Sequence, residues 1–416
     1  MFTIAILGCG SRGRTYSRFA ASLPDRYEVV AACDLVECRA REVASLNQQR
    51  TVPVFFDEEE FFAAGKLADL VVIATQDRDH YAHAVRAISL GYDILLEKPA
   101  AQTLEECEDL DRRARAAGVK IGLCFVLRYT PFYRTVKSVI DSGRLGRIIS
   151  IHASEGVEPY HQAHSFVRGH WAKSAESTPM ILAKCSHDAD LFCWLSNSEI
   201  RQVSSYGRLD FFRKENAPAG APLRCSDGCP HAHECMYDAH RYLTDKRTWL
   251  RMVLDGAETA SDETIKQFIR TSPWGRCVYH CDNDVVDHQV ISGEMVNGIT
   301  INFTMTAFDF GRSMEIYGTR GVMKGGHAWL AANACELSIR DHATGETTEI
   351  PIEHPDDSGY AGHGGGDFGI VDSLDRLFGP KGVLRPGLDG LAGHRLALLA
   401  EQSRLSESPA LAEIGI

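Results

Sequence analysis

Phe2-Thr3-Ile4-Ala5-Ile6-Leu7-Gly8-Cys9-Gly10-Ser11-Arg12-Gly13 decides the fold. The apolar run from Phe2 to Leu7 lacks the polar alternation of a half-exposed strand, as expected of a parallel strand buried on both faces. Gly8, Gly10 and Gly13 then stand in a G-x-G-x-x-G pattern, and Arg14–Leu23 reads as a helix. Gly8 allows a tight turn, Gly10 lets the backbone approach a pyrophosphate, and Gly13 lets the helix pack close to the strand. The helix N-terminus then faces the phosphate charge. Glycine pairs alone mark many turns. Here a strand precedes, a helix follows, and the next strand, Glu28 to Asp34, ends in an acid. Asp34 is placed to accept hydrogen bonds from the adenosine ribose, and its charge repels a 2′-phosphate. NAD is therefore expected rather than NADP, with Arg39 and Arg41 nearby keeping NADP open.

The same rhythm continues outward. Leu70–Thr75 is a strand, His80–Leu90 a helix stopped at Gly91, and Ile94–Leu96 a strand running into Glu97-Lys98-Pro99. Leu104–Ala117 is a helix and Ile121–Phe125 a strand. Alternating β and α units imply a doubly wound parallel sheet with right-handed crossovers. Ser11, Arg12, Thr75, Gln76, His80, Glu97 and Lys98 join the three glycines and Asp34 as the expected cofactor set. After Arg128 the rhythm breaks. Ile148–His152, Val203–Gly207, Asp287–Ile291, Thr300–Thr306 and Met314–Tyr317 read as strands, Pro179–Leu195 and Leu391–Leu405 as helices. The expected architecture is an α/β Rossmann domain at 1–127 and an α+β domain at 128–416 with a large, mostly antiparallel open sheet. Residues 209–275 are polar, rich in Cys and His, and read as an insertion or lid.

Composition bounds the rest. A chain of 416 residues exceeds one ordinary core. With 44 % hydrophobic and 24 % charged residues it resembles an ordinary globular protein. The net charge of −12 repels phosphate backbones, so no nucleic-acid partner is expected. No apolar run is long enough to cross a bilayer, so no membrane partner is expected either. The N-terminal run is short, lacks a basic leader and reads as a strand rather than a signal peptide. Thirteen scattered cysteines do not suggest a disulfide framework, and a reduced cytoplasm is the expected compartment.

Glu97-Lys98-Pro99 falls at the C-terminal end of a strand, where open α/β sheets bind ligands. A lysine there can hold a substrate oxygen during hydride transfer, or simply form a strand-end salt bridge. With Gly8–Gly13, Asp34, Arg128-Tyr129-Thr130-Pro131 and Met314–Gly321, this element resembles the Gfo/Idh/MocA family of oxidoreductases. The resemblance covers about 1–208 and 276–345. It implies a lysine beside nicotinamide and substrate hydroxyl at Lys98, a cis Lys98–Pro99 peptide, and a homodimer or homotetramer. It also implies a helix bearing an acid, a histidine four residues later and an acid three after that. Here Ala183 stands at the first acid, with Lys184 beside it, while His187 and Asp190 match. His187 is the expected general base. Lys184, three residues away, shares its helix face and either lowers its pKa, binds an anion, or points to solvent. The alternative for His187 is a satisfied core histidine.

Substrate contacts are expected from Arg128, Tyr129 and Asp188, and from Arg168, His170 and Trp171, whose mix of cations, imidazole and indole suits an anionic sugar. A solvated loop is the alternative for 167–173. Residues 276–288 read as a strand that presents His288, Asp287 and Asp284 to sugar hydroxyls, to solvent or to a second subunit. Gly362–Asp367 is a turn able to bring His363 over the site, or one merely capped by Asp367. Cys225, Cys229, His231 and Cys235 could hold zinc, although the spacing is not a standard knuckle, or be buried thiols. The expected activity is NAD-dependent hydride transfer at a hydroxyl carbon of a sugar, sugar derivative or polyol. The alternatives are an NAD-dependent redox glycosidase and a non-catalytic sensor of cofactor or sugar.

Overall fold

Val-, Ile- and Ala-rich runs become strands because branched side chains suit a pleated surface, and helices cover both faces. In the computed structural model, which describes residues 1–327, 335–352 and 362–412, the first unit runs β1 (Phe2–Leu7), α1 (Ser11–Ala21), β2 (Tyr27–Cys33), α2 (Glu37–Ala44), β3 (Val54–Phe55), α3 (Glu58–Ala63), β4 (Leu70–Ile73), α4 (His80–Ser89), β5 (Asp93–Leu96), α5 (Leu104–Ala117) and β6 (Lys120–Leu123). Every strand pair is parallel, in the order β6-β5-β4-β1-β2-β3. Two apolar clusters, one around Val71 and Ile94 and one around Ile6 and Val72, fill the space between sheet and helices. Helix α5 shows how local sequence sets limits: Thr103 and Glu106 form a capping box, and Gly118 ends the helix in the left-handed region at φ 70°. The strand order reverses between β1 and β4, which opens the crevice where such sheets bind ligands.

The chain continues through α6 (Pro131–Asp141), β7 (Ile148–Val157), α7 (Pro159–His161), α8 (Met180–Ala183), α9 (Ser186–Ser196), β8 (Ile200–Arg208), α10 (Asp262–Thr271), β9 (His288–Met295), β10 (Thr300–Thr306), β11 (Phe310–Gly318), β12 (Gly321–His327), β13 (Cys335–Asp341) and β14 (Thr347–Glu349). It closes with α11 (Gly366–Val371), α12 (Leu374–Phe378), β15 (Gly387–Asp389), α13 (Leu391–Ser406) and β16 (Ala410–Leu411). Strands β14-β13-β12-β11-β7-β10-β9-β8-β16 form the second sheet, antiparallel except where β7 meets β10. Its β8, β9 and β10 alternate buried and exposed residues, so one face is covered and the other open. Strand β15 instead joins the first sheet beside β6, so the last part of the chain returns to the dinucleotide-type fold.

Two expectations change. Pro179–Leu195 is not one helix: α8 stops at Ala183, and Cys185 (φ −95°, ψ 10°) breaks the path before α9. Residues 276–287 are not a strand. Asp282, Asn283 and Asp284 favour turns, and the Asp284 carboxylate accepts from the backbone N and hydroxyl of Ser174 instead of leaving a ladder free. The 209–275 segment is largely short helical turns with α10, and it has its own core around Tyr242, Leu250, Ile265 and Ile269. No described helix is long and apolar enough to cross a membrane. Of the resembling stretch 276–345, residues 328–334 lie outside the described residues.

Candidate active site

The loop after β1 has the shape its glycines require. Gly8 sits at φ +91°, and a Cβ there would lie 2.5 Å from the Ala74 carbonyl oxygen. A Cβ on Gly13 would lie 1.9 Å from the Gly8 carbonyl oxygen, whereas one on Gly10 would meet nothing within 4 Å. Gly10 caps α1 without a side-chain bond, and the first turn carries no acid. The uncapped N–H groups thus face open space at the switch point, with exposed Ser11 beside them. Asp34 is pinned at the edge of this space, accepting from Cys9 N at 2.7 Å and Val36 N at 2.8 Å. Open space at Gly10, free helix N–H groups and a fixed carboxylate fit a dinucleotide. Arg39 is paired with Asp255 at 2.7 Å and Arg41 with Glu37 at 2.6 Å, so both have partners other than a ribose phosphate.

Arg12 and Glu97 face each other. Arg12 Nε donates to Glu97 at 2.7 Å, its other nitrogens bind both oxygens of Asp367 at 2.7 and 3.0 Å, and Tyr16 completes the cluster. This clasp ties the glycine loop, the end of β5 and α11 together. His80 lies between the Pro99 carbonyl at 2.6 Å and the Thr75 carbonyl at 3.3 Å. Thr75 Oγ1 contacts His83, and Gln76 starts the turn that follows β4. The Lys98–Pro99 peptide is cis.

Lys98 Nζ donates to the Ala183 carbonyl at 2.7 Å, across from the end of α8. Burial pushes its pKa down, and Lys184 and Arg12 add to the shift against the pull of Asp77 and Glu97. His187 opens α9, is 6 % exposed and packs edge-on to Phe125. Burial drives its pKa well below the usual imidazole value, helped by Lys98, His363, Arg312 and Lys184. It is therefore neutral near pH 7, and its Nδ1 has no hydrogen-bond partner among the described residues. Such a group can accept a proton.

Lys184 does not share a helix face with His187, because the helix breaks between them. It points to Glu155 at 3.2 Å. Glu155 is the register partner of Arg312 across β7 and β11, and their side chains meet at 3.0 Å. Asp188 binds the same arginine at 2.6 and 3.0 Å. A carboxylate from the sheet thus stands near the helix position where Ala183 replaces an acid.

Residues 2–125 match the model of the oxidoreductase family with an NAD-binding Rossmann fold, and residues 133–324 match the GFO/IDH/MocA C-terminal domain. The chain belongs to the Gfo/Idh/MocA family. It is an oxidoreductase with an NAD-binding Rossmann fold. YteT of Bacillus subtilis is 23 % identical over 406 residues, covering 89 % of this chain and 88 % of that protein. The scyllo-inositol 2-dehydrogenase (NAD(+)) of Bacillus subtilis is 27 % identical over 209 residues, covering 49 % of this chain and 57 % of that enzyme. The chain thus matches little more than half the length of that dehydrogenase. An oxidoreductase from Agrobacterium radiobacter, solved with NAD+, L-tartaric acid and magnesium, superposes with a TM-score of 0.67 at 15 % identity over 99 % of this chain and 98 % of its own. The WlbA dehydrogenase from Bordetella pertussis, solved with NADH and UDP-GlcNAcA, does so with 0.64 at 18 % identity over 100 % and 99 %. At these identities the likeness is one of fold.

Within this Gfo/Idh/MocA chain the expected substrate residues separate. Arg128 is a clasp: it binds Asp190 through Nε at 2.6 Å and Asp389 at 3.0 Å, joining α9 to β15. Tyr129 packs against Gly369 of α11. Arg168 is buried and donates to the carbonyls of Arg276 and Tyr237, each at 2.7 Å, so it holds the insertion rather than a sugar. His288 is bound to Asp287 at 2.7 Å, and among the described residues no hydrogen bond or ring contact joins it to Lys98 or His187. Two expectations do converge on the centre. His363, in the left-handed region at φ 47°, brings its ring centroid to 6.0 Å from that of His187 while Nδ1 contacts Asp367 at 3.0 Å. Trp171 Nε1 donates at 2.8 Å to Asp77, a charge that acts on Lys98, and exposed His170 lies next to it.

Sequence reading missed Glu155, Arg312, Asp77 and His394. The first two were visible in principle: strict alternation in β7 and β11 puts Glu155 in phase with Ile151 and Arg312 in phase with Met314 and Ile316. His394 had no local signal. It accepts from Ala100 N at 2.8 Å and steadies the peptide after Pro99 from nearly three hundred residues away.

The expected zinc ligand His231 faces elsewhere. Its ring contacts the Ala219 carbonyl at 2.9 Å and Glu234 at 3.1 Å. Among the described residues no group of three His, Cys, Asp or Glu stands at metal-holding distances.

Proposed function

We propose that this chain transfers a hydride between a hydroxyl carbon of a sugar, sugar derivative or polyol and NAD. The observation that carries it is the pairing of Lys98, anchored on the Ala183 carbonyl, with the buried neutral His187 that begins the next helix. The bound nicotinamide supplies the hydride acceptor. His187 takes the hydroxyl proton, its partnerless Nδ1 or the opposite nitrogen serving as acceptor. Lys98 holds the same oxygen and offsets the alkoxide-like charge. Glu155 and Asp188 hold Arg312, Glu155 also holds Lys184, and the positive charges of Arg312 and Lys184 help to keep His187 unprotonated. Asp34 favours NAD over NADP. The inositol dehydrogenases among the relatives support a cyclic polyol or sugar as substrate. The open face of the second sheet, where Tyr206 is 67 % and Val290 42 % exposed, suits pairing with a second copy in a homodimer or homotetramer.

The test is NADH absorbance with NAD and a panel of neutral, carboxylated and phosphorylated sugars and inositols, each sugar also supplied as a nitrophenyl glycoside. Steady NADH formation is expected, with Lys98→Met slowing turnover by about 100- to 10,000-fold while NAD still binds. Nitrophenol release without net NADH would replace this reading with a redox glycosidase. Binding of NAD with no turnover on any substrate, unchanged by Lys98→Met, would replace it with a sensor.

A further inference from the structure

The insertion carries a cluster that the hydride-transfer site does not use. Cys225, Cys229, Cys235 and Cys277 all line one cavity of about 20 Å³, shared with Arg168 and Asp238. The first three thiols come from the insertion and the fourth from the segment that leaves it. We infer that these four cysteines form a structural zinc site, which fastens the insertion to residues 277–281 and to Arg168.

Arg168 is the independent observation. Its side chain is buried, with 4 % of the residue exposed. Nε and Nη2 reach carbonyls, Nη2 also approaches Cys225 Sγ at 3.6 Å, and Nη1 has no hydrogen-bond partner among the described residues. Among the described residues it forms no ion pair. A guanidinium cannot shed its proton to escape burial, so it requires a counter-charge. Its nitrogens reach carbonyls and the Cys225 thiol, and the Asp238 carboxylate of the same cavity is engaged by His240 instead. Four thiols that release their protons to water and bind Zn2+ as thiolates would form a centre of net charge −2, and that centre supplies what Arg168 lacks.

The donor set also selects the metal. Four sulfurs in tetrahedral arrangement suit zinc or an iron–sulfur cluster. A cavity little larger than the roughly 10–15 Å³ needed to admit one water suits a single ion. Cys229 and Cys235 are half-buried, and ion binding requires their side chains to turn inward, since the thiols do not stand at ligand distance in the chain alone. Arg168 precedes His170 and Trp171 directly, so the centre also fixes the segment that reaches Asp77 at the rim of the candidate active site.

The test is elemental analysis of the full-length protein purified without chelator, beside Cys277→Ser and His231→Ala. One zinc per chain is expected in the parent and in His231→Ala, with at least a tenfold loss in Cys277→Ser. Cys277→Ser could lose metal merely by misfolding, so the parent chain is also stripped and reloaded with cobalt(II). The visible absorption of tetrahedral cobalt with strong thiolate-to-metal charge transfer is expected. Absence of metal, iron in place of zinc, loss of zinc in His231→Ala, a cobalt spectrum without thiolate bands, or a native mass lower by four hydrogens, as two disulfides require, would each overturn the proposal. None of these readouts depends on the oxidoreductase substrate.

Discussion

Replacing Gly10 and Gly13 by alanine separates cofactor contact from fold. At Gly10 the backbone (φ −70°, ψ −158°) is extended and open to any residue, and a Cβ meets no atom of the chain within 4 Å. Gly10→Ala is therefore expected to fold and to melt at the parent temperature or slightly above it, since an alanine that fits restricts the unfolded chain by about 0.4–1 kcal/mol. The new methyl occupies the space assigned to the pyrophosphate. If crowding there costs about 1–3 kcal/mol, as overpacking does elsewhere, NAD binds about 5- to 150-fold more weakly. At Gly13 the Cβ would lie 1.9 Å from a backbone oxygen, which no side-chain rotation relieves. Gly13→Ala must push α1 off the loop, so it is expected to lose both melting temperature and affinity. Calorimetric titration with NAD and NADH, beside thermal melts, measures both quantities. Parent-like NAD affinity in Gly10→Ala would refute the placement of the cofactor.

Three further outcomes follow from the charged groups. Glu155→Ala removes a buried carboxylate that pairs with both Lys184 and Arg312, and urea unfolding is expected to show a loss of about 3 kcal/mol; a loss under 1 kcal/mol would mean that the pair is not buried as described. His164 and His394 have pKa values pushed down by burial to about 3 and about 4. The unfolded chain binds these protons first, so stability is complete above pH about 6.5 and falls as pH drops below it. His394→Gln should flatten that acid slope, by up to roughly 3 kcal/mol between pH 6.5 and 4; an unchanged slope in chemical denaturation across that range counts against it. His187, also depressed, is expected to add no acid limb to the oxidation rate near pH 6.5, and a limb there would show a solvated, ordinary histidine instead.

The local clauses of the sequence were strong where one residue type serves one geometry. Gly8, Gly10 and Gly13, the acid at Asp34 and the apolar run of β1 lie within about one βαβ unit, and each answers to a backbone or charge requirement that neighbours in sequence can satisfy. The same holds for the periodicity of α5 and for Lys98 at the end of β5. By itself, then, the sequence determined the parallel sheet and the glycine turn after β1, and it singled out Lys98 and His187 as the residues to test.

What tertiary structure decided is the destination of charged side chains. Arg12, Arg128 and Arg168 read as ligand contacts because a cation near a cleft can serve either purpose. Their partners, Asp367, Asp190 with Asp389, and the carbonyls of Arg276 and Tyr237, lie some 60 to 355 positions away. Burial requires such charges to be paired, but only the folded chain shows with whom. Glu155 was equally hidden: alternation places it inward, and only the register of β7 against β11 sets it opposite Arg312 and within reach of Lys184. The break at Cys185 likewise arises where α8 and α9 must each fit the core and the site, a demand that no local helix signal carries.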